Sequence, residues 1–175
     1  ELYYHIAQFY NKKKEHQKSI EYYTKAIELA PEKDNYYYRR TTPYIALEMY
    51  AEAEADYLKA IELSPKNEDY HSFLGRLYQE NLKQYEKAIA QYLKIRDFNA
   101  KSIIPYNNVG NLYLYDLKNY KKAKEYLLNG LKVDSLSPYL YRNLARLSIE
   151  TKEYQKSIEY FSKAIELAPY SESVK

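Results

Sequence analysis

The sequence contains no cysteine, no tryptophan and only three glycines among its 175 residues. A chain without cysteine forms no disulfide, no thiolate metal site and no cysteine nucleophile. So few glycines also argue against the glycine-rich loops that cradle phosphate groups. Because a domain without disulfides folds in either redox environment, the compartment stays unknown, with the cytoplasm slightly favoured.

Long apolar runs and an excess of one charge are missing as well. No segment approaches the roughly 18 apolar residues of a transmembrane helix, so we expect no membrane partner. The 27 basic residues nearly balance the 24 acidic ones, which gives a formal net charge of +3. Without a basic and aromatic stacking pattern, this charge does not indicate a nucleic-acid partner.

Motifs for catalysis and metal binding are also lacking. The histidines, His5, His16 and His71, do not have the spacing of a metal site, and His71 takes the place of an aromatic packing residue. The sequence contains neither a nucleophile elbow nor a phosphate-binding loop. We therefore expect no catalytic residue, no metal and no cofactor, and we predict that the chain is not an enzyme.

Internal repeats organise the sequence. The segment Ala26–Pro31 recurs 34 residues later as Ala60–Pro65 and again as Ala164–Pro169, and weaker copies end at Ala100 and Ser135. Patterned sequence from the first residue onward indicates a section of a longer protein. We predict five units, approximately 1–33, 34–67, 68–102, 103–137 and 138–171, and at 172–175 the start of a truncated sixth unit or a capping helix.

Each unit has the pattern of two amphipathic helices. In the last unit, Tyr141, Leu144 and Ala145 recur at helical spacing, and a second such set follows a short turn. The third and fourth units have one additional residue, which we expect in the turn between their two helices. Residues suited to cap the first helices are Asn67, Ser102, Ser137 and Ser171.

The units also share a signature. Each first helix carries an aromatic, an aliphatic, a small residue and a tyrosine, and each second helix carries a small residue, an aromatic, another small residue and a closing proline, with individual departures. The first copy reads Tyr3, Ile6, Ala7, Tyr10, Ser19, Tyr23, Ala26 and Pro31. Repeated in phase over essentially the whole chain, this signature resembles the tetratricopeptide repeat family. The resemblance implies an all-α, right-handed α-solenoid of antiparallel helix pairs, the TPR superhelix, whose first helices line a concave groove.

Tyrosine is the most prominent constituent of this pattern. Fifteen of the 25 tyrosines fall in four recurring columns, so we interpret them as packing residues. The columns are the opening aromatic of the first helix, its late tyrosine, the tyrosine that opens the second helix and the aromatic in the middle of the second helix. A large ring with a polar tip suits a stack of helices in which no residue is far from solvent. Tyr4, Tyr38 and Tyr115 lie outside these columns, and we expect them to project differently.

The groove that the resemblance implies provides the candidate binding residues. They are Tyr38, Arg39, Arg76, Asn107, Asn108, Asn111, Arg142, Asn143 and Arg146. Asn108 and Asn143 occupy one column, and in this family such a column resembles an asparagine ladder that grips a peptide main chain. The alternative is that these asparagines are solvated on a polar face.

The arginines of the groove have two interpretations. Arg142 and Arg146 are one helical turn apart and are suited to hold a carboxylate or phosphate. Alternatively, arginines on this face pair with acidic residues four positions later, Arg146 with Glu150 and Arg76 with Glu80.

These observations predict a non-catalytic protein–protein interaction module that binds an extended peptide or partner segment in the groove. One alternative is a scaffold that self-assembles through uncapped terminal helices, as a homo-oligomer, because Ile158, Phe161 and Ile165 of the last helix would face a missing neighbour. Another alternative is the regulatory part of a larger enzyme.

Overall fold

The computed structural model describes residues 1–168, and all of their regular structure is helical. The expectations for Pro169, Ser171 and the segment 172–175 lie outside the described residues. Within residues 1–168, no helix is long and apolar enough to cross a membrane.

The described residues form an array of paired α-helices, which confirms the predicted all-α fold class. The two helices pack against each other in the pairs α1–α2, α3–α4, α7–α8 and α9–α10. The helices are α1 (Leu2–Lys12), α2 (His16–Leu29), α3 (Asp34–Ala46), α4 (Tyr50–Leu63), α5 (Glu68–Arg76), α6 (Tyr85–Phe98), α7 (Ile104–Asn111), α8 (Tyr120–Val133), α9 (Pro138–Glu150) and α10 (Tyr154–Leu167).

Residue contacts divide the chain into two compact units, Glu1–Gln91 (unit 1) and Tyr92–Lys175 (unit 2). The core of unit 1 is built largely from tyrosine and small side chains: Ala26, Ile27, Tyr36, Tyr37, Ala60 and Tyr70. The core of unit 2 is built mainly from leucine: Leu114, Ala123, Leu127, Leu140, Leu144 and Leu147. The excess of tyrosine in the composition therefore serves the two cores unequally.

Helix α2 illustrates why these segments are helical. Ser19, Tyr23, Ala26 and Ile27 are buried, and their spacing places them on one face of a helix of 3.6 residues per turn. The small side chain of Ser19 permits a close approach to α1, where its hydroxyl donates to the Ala7 carbonyl at 2.9 Å. A larger residue at this position would separate the two helices.

The turns within the helix pairs use a left-handed residue that is not glycine. In the described part of the chain, φ lies between 52° and 61° at five such positions, Lys14, Glu48, Lys83, Lys118 and Lys152. Each of them stands two residues before the first residue of the second helix. Left-handed backbone favours glycine, so these turns explain how the chain manages with few glycines.

The prediction that the additional residue of the third and fourth units lies in the inter-helix turn is wrong. In each of these units the additional residue lies before the turn, in a π-helical segment that ends the first helix. These segments are Leu77–Asn81 in the third unit and Leu112–Asp116 in the fourth. The Leu82 amide donates to the Leu77 carbonyl five residues earlier, at 3.1 Å. A π-turn inserts one residue into the helical ladder, so the turn proper keeps its length.

Of the three predicted capping residues within the described part of the chain, two accept hydrogen bonds from amides at the start of a helix. Asn67 accepts hydrogen bonds from the Asp69 and Tyr70 amides, and Ser102 Oγ accepts one from the Ile104 amide at 3.3 Å. The cap predicted at Ser137 is wrong, because its hydroxyl is buried and forms no hydrogen bond within residues 1–168.

Candidate functional site

The structure sorts the predicted groove residues into two clusters, one in each unit. Tyr38, Arg39 and Arg76 belong to unit 1, on α3 and α5. The six others lie on α7 and α9 of unit 2, namely Asn107, Asn108, Asn111, Arg142, Asn143 and Arg146. Each cluster is described by itself.

In unit 1, the predicted residues surround two aromatic rings. The half-buried Tyr38 ring lies 5.4 Å from the Phe73 ring, centre to centre. The Arg39 guanidinium lies 5.2 Å from the centre of the Tyr38 ring, and that of Arg76 lies 4.7 Å from the centre of the Phe73 ring. Burial raises the pKa of the Tyr38 hydroxyl. We call these four residues the aromatic–arginine cluster.

In unit 2, hydrogen bonds between asparagines connect α7 to α9. Asn143 Nδ2 donates to Asn107 Oδ1 at 2.7 Å, and Asn107 Nδ2 donates to Asn108 Oδ1 at 3.2 Å. The two bonds fix the orientation of the Asn107 and Asn108 amides. We call the three residues the asparagine network.

Asn108 and Asn143, predicted to be equivalent, occupy different environments. Asn143 is only 2% exposed and orients Asn107, whereas Asn108 is half-buried. The Asn108 Nδ2 group donates no hydrogen bond to the described part of the chain. Asn108 therefore has a donor to offer a ligand, and direct contact between Asn143 and a peptide stays a prediction.

A second contact joins α9 to the π-helical turn that follows α7. Arg146 Nη1 donates to the Tyr115 hydroxyl at 3.4 Å. Tyr115 sits in the π-helical turn that follows α7, and sequence reasoning missed this contact because the inserted residue changes the direction of the side chains. Asn111 lies four residues from both Asn107 and Tyr115, so the two cross-helix contacts bracket it.

Two buried polar atoms, one on α7 and one on α9, have no partner in the described part of the chain. Asn111 Oδ1 and Arg142 Nε are buried and form no hydrogen bond within residues 1–168. The Arg142 guanidinium lies 5.4 Å from the centre of the Tyr139 ring, which it faces. A buried polar group without a partner costs about 1–3 kcal/mol. A ligand that satisfies these atoms would recover that free energy.

The alternative in which the arginines pair with acidic residues one turn away is not what the structure shows. Within residues 1–168, no ion pair joins Arg146 to Glu150 or Arg76 to Glu80. Glu150 instead accepts a hydrogen bond from the Tyr120 hydroxyl at 3.3 Å. The positive charges of Arg76 and Arg146 are therefore not neutralised by the acidic residues one turn away.

The histidine of the third unit has a structural environment. His71 is buried, with Nδ1 3.0 Å from Gln91 Oε1 and Nε2 3.1 Å from the Pro65 carbonyl oxygen. In the part of the chain that the structure describes, no group of three or more His, Asp and Glu residues could hold a metal ion.

An unexpected polar contact in unit 1 is a buried ion pair. Arg40 Nε and Nη2 each donate to one Asp56 carboxylate oxygen, both at 2.8 Å. Arg40 Nη1 donates to the Thr24 hydroxyl at 2.7 Å. The available signal was a charged residue in the aliphatic column of the signature, where the first copy has Ile6.

Comparisons with known proteins identify the repeats. A family model described as "Tetratricopeptide repeat" matches residues 1–33, 36–67 and 105–135, and a second model of that description matches residues 138–171. The helix pair α5–α6 stands between these matches, so the ten described helices are consistent with five repeats. The exact unit boundaries stay a prediction. No curated protein is significantly similar to the chain in sequence.

Solved structures share the fold at low sequence identity. MamA from Desulfovibrio magneticus RS-1 is 18% identical, with a TM-score of 0.71, and the match covers 98% of this chain and 96% of that one. Pseudomonas aeruginosa PilF is 20% identical, with a TM-score of 0.72, and the match covers 95% and 75% of the two chains. YrrB, described as a TPR protein with an unusual peptide-binding site, is 21% identical, with a TM-score of 0.62 and coverage of 97% and 86%.

Identities this low establish the arrangement of helices and nothing about ligands. The family models, in contrast, match most of the chain directly in sequence. Repeats of this kind stack into arrays that present extended surfaces to other proteins. The chain therefore belongs to the tetratricopeptide repeat family and is a helical protein-interaction scaffold.

Proposed function

We propose that the chain is a non-catalytic interaction module and that α7 and α9 bind an extended peptide segment of a protein partner. The observation that carries the proposal is the pair of buried, unpartnered atoms, Asn111 Oδ1 and Arg142 Nε, beside the asparagine network. Buried polar groups in native proteins nearly always have partners. A partner supplied by a ligand accounts for both atoms.

The chemistry of this face suits a peptide main chain. An extended peptide offers amide donors and carbonyl acceptors in alternation. Asn111 Oδ1 would accept from a peptide amide, and Asn108 Nδ2 would donate to a peptide carbonyl. Asn111 is half-buried as a residue, so a rotation of its side chain brings the oxygen to the surface.

The arginines favour a segment with an acidic group. Arg142 and Arg146 stand one helical turn apart on α9, and Arg146 is exposed. Guanidinium groups bind carboxylates through two parallel hydrogen bonds. In unit 1, the aromatic–arginine cluster offers a contact of the same character, since Arg39 and Arg76 lie over apolar rings.

Binding to a peptide array tests the proposal. We expect the wild-type chain to bind a subset of peptides that contain acidic residues. The double substitution Asn108→Ala/Asn111→Ala should weaken a selected peptide by about tenfold or more, because each lost hydrogen bond contributes about 0.5–1.5 kcal/mol. The dissociation constant is measured by calorimetry. Asn143 is left intact because its amide orients Asn107.

Asn129 on α8 offers a matched control. It is a half-buried asparagine whose side chain accepts from Lys132 at 2.8 Å, so Asn129→Ala removes an amide of the same kind outside the proposed face. We expect that substitution to leave the affinity unchanged. Undiminished binding by the double variant, or equal losses in the double variant and the control, would refute the assignment to α7 and α9.

Self-association is a second candidate function, favoured by the surface of α10. Ile158 is 60% exposed and Ile165 is 66% exposed, although both are large apolar side chains. Phe161, between them on the same helix, is half-buried. An exposed apolar stripe of this kind is suited to pack against a helix of a second copy.

Light scattering as a function of concentration tests self-association. We expect the average mass to rise with concentration for the wild-type chain and to stay at the monomer value for Ile158→Lys/Ile165→Lys. Glu159→Lys, a charge change at an exposed position about 100° around the helix from Ile158, lies off the stripe and is the control, which should still associate. A wild-type chain that stays monomeric at all concentrations excludes this function.

A further inference from the structure

The last helix pair lacks a tyrosine that the other pairs have near the end of their first helix. Tyr10, Tyr44, Tyr78 and Tyr113 occupy this position in the earlier pairs, and Ser148 occupies it in the last. The backbone shows that the positions are equivalent. The Ser148 carbonyl accepts from the Glu153 amide at 2.8 Å, as the Tyr10 carbonyl accepts from the Glu15 amide at 3.0 Å.

In two of the earlier pairs, the tyrosine ring stacks on a second tyrosine. The rings of Tyr10 and Tyr22 lie 5.4 Å apart at an interplanar angle of 10°. The rings of Tyr113 and Tyr126 lie 5.7 Å apart at 26°. A lysine lies over the ring in both cases, and for Tyr113 it is Lys122, at 5.0 Å from the ring centre.

The last pair retains the surroundings of such a ring but not the ring itself. By position in the second helix, Tyr160 corresponds to Tyr126, and Lys156 corresponds to Lys122. A cavity of about 150 Å³ lies beside Ser148 and Tyr160. Its other lining residues are Tyr120, Lys121, Lys124, Leu144, Leu147, Thr151 and Glu153.

We propose that this cavity is a binding site for a single aromatic ring. Leu144 and Leu147, 1% and 3% exposed, provide apolar walls, and Tyr160 provides a face for stacking. An enclosed apolar cavity of roughly 150 Å³ holds one benzene ring in another protein, so this more open pocket, which also has charged residues in its lining, has the volume for one ring. The ring would take the place that tyrosine occupies in the earlier pairs.

The charges at the cavity specify a substituent on the ring. In the third pair, the Tyr78 hydroxyl donates to Glu54 at 2.7 Å. Glu54 lies on α4, and the residue at the corresponding position of α8 is Lys124, which lines the cavity. The carboxylate that accepts from the tyrosine hydroxyl in the third pair is thus replaced by a positively charged donor. The ligand should therefore carry an acceptor or anionic group on the side of its ring that faces Lys124.

The balance of charge supports an anionic substituent. Lys124 lies 3.9 Å from Glu153, and that carboxylate also pairs with Lys156. Lys121 lines the cavity as well. Glu150, which accepts from the lining residue Tyr120, is a second carboxylate nearby, so three lysines stand against two carboxylates and the site keeps net positive charge. The ligand is therefore a small aromatic acid; the tyrosine side chain of a partner, which offers a neutral hydroxyl in place of the anion, is the other outcome that the test distinguishes.

Binding of defined aromatic probes tests this site independently of the peptide-binding proposal. We expect the wild-type chain to bind 4-methylbenzoate saturably, p-cresol more weakly, and cyclohexanecarboxylate hardly at all, as measured by calorimetry and by shifts of the Tyr160 ring resonances. Ser148→Tyr should fill the cavity, raise the melting temperature and weaken 4-methylbenzoate at least tenfold. N-acetyltyrosine amide, compared with 4-methylbenzoate, distinguishes a side chain from a free acid.

Two further variants keep the result interpretable. Ser162→Tyr adds a tyrosine at an exposed position of α10 and should bind the probes as the wild-type chain does. Lys124→Met should weaken 4-methylbenzoate more than p-cresol, and it tests the site even if Ser148→Tyr does not fold. The proposal is overturned if the wild-type chain shows no saturable binding, if Ser148→Tyr binds the probes undiminished, or if Lys124→Met affects both probes equally.

Discussion

Replacing Asp56 with alanine is expected to lower the free energy of unfolding by about 3–5 kcal/mol, because it leaves the Arg40 guanidinium buried without its counter-charge. The two side chains are only 14% (Arg40) and 7% (Asp56) exposed, and two hydrogen bonds join them. Burial raises the pKa of Asp56, and the hydrogen bonds from Arg40 favour its charged form. Denaturation by urea, followed by circular dichroism, measures the change.

Substituting both Arg40 and Asp56 distinguishes the destabilisation caused by one unpaired charge from the net contribution of the ion pair to the free energy of unfolding. The corresponding residues of the last helix pair are Leu144 and Tyr160, so Arg40→Leu/Asp56→Tyr restores the apolar pattern. We expect this double variant to be about as stable as the wild-type chain or more stable. Thr24 would lose its bond from Arg40, but its hydroxyl still donates to the Ile20 carbonyl at 2.8 Å.

An exposed ion pair on α4 provides the control for the buried one. Lys59 donates to Glu62 at 2.7 Å, and the Glu62 side chain is 67% exposed. Glu62→Ala should change the free energy of unfolding by less than about 1 kcal/mol, because solvent screens exposed pairs. If Asp56→Ala costs no more than Glu62→Ala, the buried pair does not have the role assigned to it.

The family and the helical array were predictable because five copies of one signature reinforce each other. A single copy is ambiguous, but small residues at the same position in every copy, such as Ser19 and Ala53, indicate where helices approach closely. Both residues are fully buried. The same periodicity predicted helix starts, and Asn67 caps α5 as expected because its side chain reaches the free amides of the first turn.

Features that depend on one copy alone were not predictable from the signature. Tyr36 and Tyr70 are buried, although the signature does not include their column. Tyr154 lies in a signature column but is 61% exposed. The signature describes an average repeat, whereas burial depends on which neighbouring helices each side chain actually meets.

The sequence predicted which residues of the candidate site share a helical face, but not which of their side chains contact each other. Helical spacing places Asn107 one turn from Asn111 on α7 and Arg142 one turn from Arg146 on α9, and their role in binding stays a prediction. It did not indicate that Asn143 would be buried against Asn107, because that depends on how closely α7 and α9 approach each other. The cavity beside Ser148 was visible in the sequence only as a departure from the tyrosine column.

Replacing Leu127 with alanine is expected to lower the free energy of unfolding by about 2–5 kcal/mol. Leu127 is fully buried in the leucine core of unit 2, so its removal leaves a cavity as well as losing apolar contact. The neighbouring Leu128 on α8 is 37% exposed, and Leu128→Ala should cost less than about 1 kcal/mol. Comparable losses for the two substitutions would contradict the assignment of Leu127 to the core.

Gly110 makes this prediction sharper, because it faces the side chain that is removed. A Cβ atom added at Gly110 would lie 2.8 Å from both Cγ and Cδ2 of Leu127, so Gly110→Ala alone overfills the core at a cost of about 1–3 kcal/mol. In Leu127→Ala these atoms are gone, and the next neighbour of the added methyl group is the Ala123 carbonyl oxygen at 3.7 Å, an ordinary contact. The double variant should therefore lose less stability than the sum of the single losses, by at least about 1 kcal/mol. It also gains from replacing a helical glycine with alanine, but so does Gly110→Ala alone, so that gain cancels in the double-mutant cycle. Strict additivity would mean that the two residues do not touch and that α7 and α8 are further apart than the structure places them.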